Sequence, residues 1–310
     1  MAPARPENSR APRARSPKLI SLHGGHTGEF CRHADNSLEE VIETYEKRGF
    51  AWVGITEHMP PLEDRFLYPD EQSAGITAEG LRKRFHQFIR TGRRLQEKFA
   101  PRMRIFIGFE TETYSGSIDF AQHLVRDYAP DYIVGSVHHV DDINFDFDQA
   151  HYRNAVRNAG GIDRLYHRYF DAQYDMITRL RPRVVGHFDL VRLHDPDYRT
   201  RLRQPDIEKK IYRNLAAVRD LGLILDLNMR ALHKGAAEPY ISQPILLKAL
   251  EMNIPVVPGD DSHGVDTVGS HIEEGIDLLD KMGFNTRWED ILRDRIWVKP
   301  KRKTGIGNEK

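Results

Sequence analysis

Short β-rich apolar runs recur along the chain, each followed by a longer helical pattern or a polar loop. They are KLISLH (18–23), AWVGITEH (51–58), RIFIGFE (104–110), YIVGSVHH (132–139), VVGHFDL (184–190), LILDLNM (223–229) and IPVVPGDDSH (254–263). Strands alternating with helices predict a parallel α/β architecture. Between the first two runs, DNSLEEVIETYEKRGF (35–50) reads as a helix that Ser37 caps together with Glu40, and that Gly49 stops. No internal repeat, low-complexity block or Pro/Gly linker divides the middle, which predicts one domain over 18–300. Residues 1–17, rich in Pro, Ala and Arg and lacking an apolar run, read as a disordered tail and not a secretory signal. Residues 301–310 read as a flexible basic tail.

The polar positions fall in one place. His23, His58, Glu110, His138, His187, Asn228, Asp261 and His263 all sit at or just past the C-terminal ends of these runs. In a barrel of parallel strands that end carries the chemistry. A lone histidine there is more often a satisfied core or surface residue; the whole set is poorly explained that way. Imidazoles with carboxylates and essentially no thiolate suit zinc, iron or manganese, and so many donors favour two or three divalent ions over one. Glu110 is placed to bridge two of them. Clustered divalent ions point to phosphoester hydrolysis.

Bulk properties narrow the partners. Lys plus Arg equals Asp plus Glu, 46 each, so no global basic field draws the chain to nucleic acid or anionic membrane. The mean hydropathy is strongly negative and there is no long apolar run, which argues against a membrane span. The single cysteine, Cys31, excludes an intrachain disulfide framework and suggests a reducing compartment, so a cytoplasmic protein is expected. Cys31 itself is read as packing. The expected partner is a small phosphomonoester substrate; the sequence does not give the oligomeric state.

Seven motifs, in order, resemble a known family: GITEH (54–58), IGFETE (107–112), DYIVGSVHHV (131–140), YFDAQYDMI (169–177), VVGHFDLVRL (184–193), LDLNMRALHKGAAEPY (225–240) and GDDSH (259–263). From about residue 18 to 270 the chain resembles the polymerase-and-histidinol-phosphatase (PHP) superfamily, and within it the histidinol-phosphate phosphatases. The resemblance implies a distorted TIM-like (β/α)7 barrel with a trinuclear metal centre that cleaves L-histidinol phosphate to L-histidinol and phosphate. It also implies the ligand sets: His23, His26, Glu110 and Asp261 for one ion; Glu110, His138 and His187 for a second; His33, His58 and His263 for a third. A bridging hydroxide is then the nucleophile, and no protein nucleophile is needed.

Two departures from the family pattern matter. Residues two apart share a face of a strand, yet His23 and His26 of HGGH are three apart. The expectation is that Gly24 and Gly25 accommodate a bulge, so that both histidines ligate. The contrary reading turns His23 away and leaves a catalytically impaired metal-binding protein. In NMRALHKG, His233 stands where the family usually shows an arginine suited to phosphate. Arg192, Arg230, His233 and Lys234 are the candidate phosphate contacts. Glu57, Glu112 and Asp189 are candidates to orient the imidazoles, Asp189 alternatively capping the segment that follows it. Tyr114 or Phe145 is the candidate to stack on the substrate ring. His139, His151, His167, His194 and His271 are assigned to surface or core. The alternative activity is hydrolysis of another small phosphomonoester.

Overall fold

The computed structural model describes residues 18–293 and 295–296. The tails expected at 1–17 and 301–310, and the domain end expected at 300, lie outside the described residues. Along the chain come β1 (Ile20–Gly24), β2 (Trp52–His58), β3 (Arg104–Glu110), β4 (Ile133–Gly135), the hairpin β5 (His139–Val140) and β6 (Ile143–Asn144), then β7 (Val184–Val185), β8 (Ile224–Asn228) and β9 (Val256–Gly259). All but the hairpin form a 7-stranded parallel sheet in the order β1-β2-β3-β4-β7-β8-β9, so each strand pairs with the next of the sheet. Side chains and loops clip its two edges together at the strand ends. The amide of Asp261 donates to the carbonyl of His23 (2.8 Å), and that of His26 to Ser262 (2.7 Å). Below them Ser21 Oγ donates to Asp260 Oδ1 (2.5 Å). The result is a nearly closed α/β barrel.

Helices cover the outside. The first, Leu38–Lys47, starts with the expected reciprocal cap between Ser37 and Glu40, and Gly49 follows its end at φ +79°. Its buried face (Val41, Ile42, Tyr45) belongs to the same core as Val53 and Ile55 of β2. Burying each such side chain contributes about 1.5–3 kcal/mol. The helix Ala78–Phe99 lies close on β3 because Gly92 is bare: a Cβ there would be 2.9 Å from Ile107 Cδ1.

β4 and β7 are the shortest strands of the sheet, far shorter than the runs that predicted them. β4 ends at Gly135, because Thr111 Oγ1 accepts from the amide of Ser136 (3.1 Å) and Thr113 Oγ1 donates to its carbonyl (2.6 Å). Side chains thus replace the ladder and turn the chain so that His139 enters the hairpin. β7 stops at Val185, and after it the amide of Leu190 returns to the carbonyl of His187 (2.9 Å).

β1 carries a bulge. Ser21 pairs with Val53 but Gly24 with Ile55, so Leu22 and His23 together oppose Gly54 alone. The extra residue is therefore absorbed one step before Gly24 and Gly25. Tyr132 donates its hydroxyl to the Leu22 carbonyl at this irregularity. The glycines have a different task, close approach: a Cβ on Gly24 would stand 2.5 Å from Gly54 O, and one on Gly25 2.8 Å from Val41 Cγ1.

Candidate metal centre

The bulge changes where the two histidines of HGGH point. His23 and His26 are both fully buried, and their rings lie 6.1 Å apart. His23 Nε2 is 3.4 Å from Glu110 Oε2; His26 Nε2 is 3.8 Å from the same oxygen and 3.3 Å from Asp261 Oδ1. His23, His26 and Asp261 thus bring one donor atom each within 4.8 Å of the others. Asp261 is directed by its own backbone, a non-glycine residue at φ +46°, a conformation that costs energy and collects at functional sites. Asn228 holds its carboxylate, donating from Nδ2 to Oδ2 (3.1 Å).

Glu110, at the last position of β3, is the hub. Its Oε1 lies 2.8 Å from His187 Nε2 and 3.3 Å from His138 Nε2, while Oε2 faces His23 and His26. Glu110, His138 and His187 form a second donor group. Glu112, on the same side of the strand two residues on, takes the other nitrogen of His138, with Nδ1 at 2.9 Å. Its second oxygen meets His58 Nδ1 at 3.0 Å. Glu57 holds the loop after β1, accepting from the amide and hydroxyl of Thr27 (2.7 Å each), and stands 3.6 Å from His26 Nδ1.

A third group joins His26, His58 and His263. His33 stands beside it, its ring 5.1 Å from that of His58 and 5.3 Å from that of His263. Over the cluster opens a cavity of about 200 Å³. Its wall carries two cations, Arg230 and Lys234, which lie i, i+4 apart on one side of the short helix Arg230–His233 and its end. Arg230 is fixed by donating from Nη1 to the Asp261 carbonyl (2.9 Å). Loss of water at the rim and the Arg230 charge hold the Lys234 ammonium below its ordinary range. Tyr68, Asp146, Phe147 and Tyr240 complete the wall.

Several sequence expectations are corrected here. Arg192 is buried and does not line the cavity: Nε pairs with Asp189 (3.1 Å), Nη2 donates to the Glu238 and Pro239 carbonyls, and the guanidinium lies over the Tyr240 ring. Asp189 accordingly turns to Arg192 and to the amide of Ser242 (2.9 Å), not to His187, and it makes no side-chain cap. His233 is exposed and does not line the cavity. Tyr114 is stacked on Phe66 (4.0 Å) and Phe145 is packed on Tyr169, both in the core; Tyr68, Phe147 and Tyr240 are the rings that face the cavity. His139 is buried among aromatic rings, and Cys31 is a buried free thiol.

Asp226 escaped the sequence reading, as did Tyr68, Asp146, Phe147 and Tyr240 of the cavity wall. Asp226, fully buried in mid-β8, lies 2.8 Å from His23 Nδ1 and 3.4 Å from the amide of His187. A carboxylate inside the apolar run ILDLN was the available signal.

The electrostatics match a metal site. Burial pulls the His26 imidazole down, but Asp261 and Glu57 outweigh it and raise its pKa to about 9. Burial likewise pulls the His23 imidazole down, but Glu110, Asp261 and Asp226 together outweigh it and hold its pKa well above the ordinary value. Glu110 and Asp261 are held well below the usual carboxylate range, against burial, by the imidazoles around them. His33 and His263 go the other way, pushed well down by burial and neighbouring positive charge. His23 Nε2, both ring nitrogens of His26 and His187 Nδ1 are buried without a hydrogen-bond partner. Buried polar atoms are rarely left so, and a divalent ion would satisfy those that face the cluster.

Comparison with known proteins agrees with this geometry. The PHP domain model matches residues 22–230. The "Probable histidinol-phosphatase" of Schizosaccharomyces pombe is 33% identical over 306 residues, covering 93% of this chain and 99% of that protein. The "Histidinol-phosphatase" of Saccharomyces cerevisiae is 31% identical, over 80% of this chain and 84% of its own. The crystal structure of a Lactococcus lactis histidinol phosphate phosphatase, complexed with zinc, L-histidinol and phosphate, matches at a TM-score of 0.65 and 18% identity, covering 87% and 94% of the two chains. A seven-stranded parallel barrel with imidazoles and carboxylates gathered at one mouth, and likeness to two fungal proteins over 93% and 80% of the chain, lead to one conclusion: the chain belongs to the PHP-domain family, among its histidinol-phosphatases.

Proposed function

We propose that this protein is a phosphomonoester hydrolase that converts L-histidinol phosphate to L-histidinol and phosphate with two or three divalent ions, zinc being the first candidate. The carrying observation is the set of overlapping donor groups around Glu110 at the floor of a cavity walled by Arg230 and Lys234. That the Lactococcus protein was crystallised with zinc, L-histidinol and phosphate supports the substrate and the metal.

In this reading His23, His26, Glu110 and Asp261 hold one ion; Glu110, His138 and His187 a second; and His26 or His33, with His58 and His263, a third. Bound ions of this kind grip phosphate oxygens and bring a coordinated water's pKa near neutrality. The protein's own share is orientation. Asp226 on Nδ1 of His23, and Glu112 on Nδ1 of His138, leave each Nε2 aimed at the cluster. Lys234 and Arg230 supply positive charge for the phosphate. Asp146 offers a carboxylate to a cationic leaving group, and Phe147 and Tyr68 offer rings beside it. Histidinol carries an ammonium and an imidazole, which matches that wall.

The test is phosphate release by metal-analysed protein from histidinol phosphate and from a panel of small phosphomonoesters at matched concentration. A strong preference for histidinol phosphate is expected. Equal rates across the panel would keep the hydrolase and discard the substrate, and no release with the metal sites filled would discard the activity.

A further inference from the structure

At the opposite end of the barrel, where the strands begin, lies a second cavity, of about 760 Å³. Four arginines line it: Arg126, Arg181, Arg183 and Arg295. They come from separate elements: the last turn of the helix Ser117–Tyr128, the chain just after the turn Met176–Leu180, the residue before β7, and the segment after the helix Trp288–Leu292. Arg181 stands at φ +53°, a backbone setting uncommon for a long side chain.

None of the four pairs with a carboxylate among the described residues. Arg181 Nε donates to the Thr178 carbonyl (3.3 Å), and Arg295 donates from Nε to Gly222 (3.1 Å) and from Nη1 to Ile291 (3.3 Å). The C-terminal end of a helix carries about half a negative charge, which accounts for such contacts but not for four full cations. The one lining acid, Asp131, is engaged elsewhere: its Oδ2 takes Arg93 (2.7 Å), Gln96 (2.8 Å) and the amide of Ile107 (2.7 Å). The guanidinium groups of Arg126 and Arg183 make no hydrogen bond or ion pair among the described residues. Burial, with the nearby Arg295 adding to it, pushes the Arg183 guanidinium down from its ordinary value.

Between the arginines the wall is apolar, with Val125, Ile133 and Leu180. A volume of this size takes a ligand of metabolite dimensions.

We propose that this cavity binds a small organic polyanion: an apolar body bearing two or more phosphate, sulfate or carboxylate groups. The guanidinium fork suits such groups, and the site lies away from the metal centre.

The probe is naphthalene trisulfonate, fluorescent and a weak ligand for divalent metals, titrated into metal-loaded, full-length protein. Saturable 1:1 binding is expected, weaker at higher salt, because screening shortens the reach of the charges. In Arg126→Gln/Arg183→Gln the affinity falls at least about tenfold, the loss typical of a charged hydrogen bond, while phosphatase activity measured without the probe is unchanged. Because Arg183 is half-buried, the exposed Arg126→Glu is a second variant that avoids a folding defect, and it too weakens binding. No saturable binding to the wild type overturns the proposal. So does equal affinity in both variants, or displacement of the probe by inorganic phosphate at the metal mouth with no effect of either variant.

Discussion

Asp226 and Arg192 show how little residue type says about role. Both are buried charges near the mouth, yet one faces a donor imidazole and the other is consumed by Asp189 and backbone carbonyls. Asp226→Ala should lower metal affinity about 10–100-fold, the usual effect of removing a carboxylate behind a ligating histidine. Activity titrated against added zinc measures it. Lys234→Gln should lower kcat/KM about 10-fold or more by removing a charge from the phosphate wall, with the melting temperature little changed. Arg192→Ala should do the reverse. It leaves the buried Asp189 short of its cation, a loss of about 3 kcal/mol or more in stability read by chemical denaturation.

At the scale of the element, β1 matters most. Its bulge at Leu22–His23 brings two histidines spaced three apart to one mouth, and Gly24 and Gly25 let the strand seat against β2 and the first helix. Gly24→Ala would push a methyl to 2.5 Å from the Gly54 carbonyl. The expected cost is about 1–3 kcal/mol, as for other overpacked sites, with metal content falling in parallel because His23 shifts. Denaturation midpoints and metal analysis of the same preparation test both parts.

For the whole molecule, metal and proton compete for one set of atoms. In the metal-free cluster Asp261 and Glu57 raise the His26 imidazole from 6.5 to about 9 against burial. A raised pKa stabilises the folded state fully below pH 6.5 and loses that contribution as pH climbs through about 9. Protein stripped with a chelator should therefore lose stability across that window. Metal affinity should rise across the same window, since binding must displace the protons. A denaturation series in chelator and a zinc titration at several pH values read the two trends. A stripped protein whose stability is flat from 6.5 to 9 would show that His26 is neutral in the fold.

The sequence by itself determined the parallel α/β architecture, its seven strands and the gathering of donors at one end, while the barrel was what the family resemblance implied. Alternation of apolar runs with helices is a local pattern, and parallel strands in chain order place every run's C-terminal end on one face. It also supplied the Ser37–Glu40 cap, whose atoms lie within one helical turn. What only the tertiary structure decided is direction. The bulge sits at Leu22–His23 and not at the glycines, because β2 and Tyr132 across the barrel set where the ladder breaks. The helix Arg230–His233 turns Arg230 and Lys234 inward and His233 out, and Arg192 is taken up by carbonyls 46 and 47 residues away in the chain. A side chain's partner across a barrel depends on packing between distant segments, which no local spacing encodes.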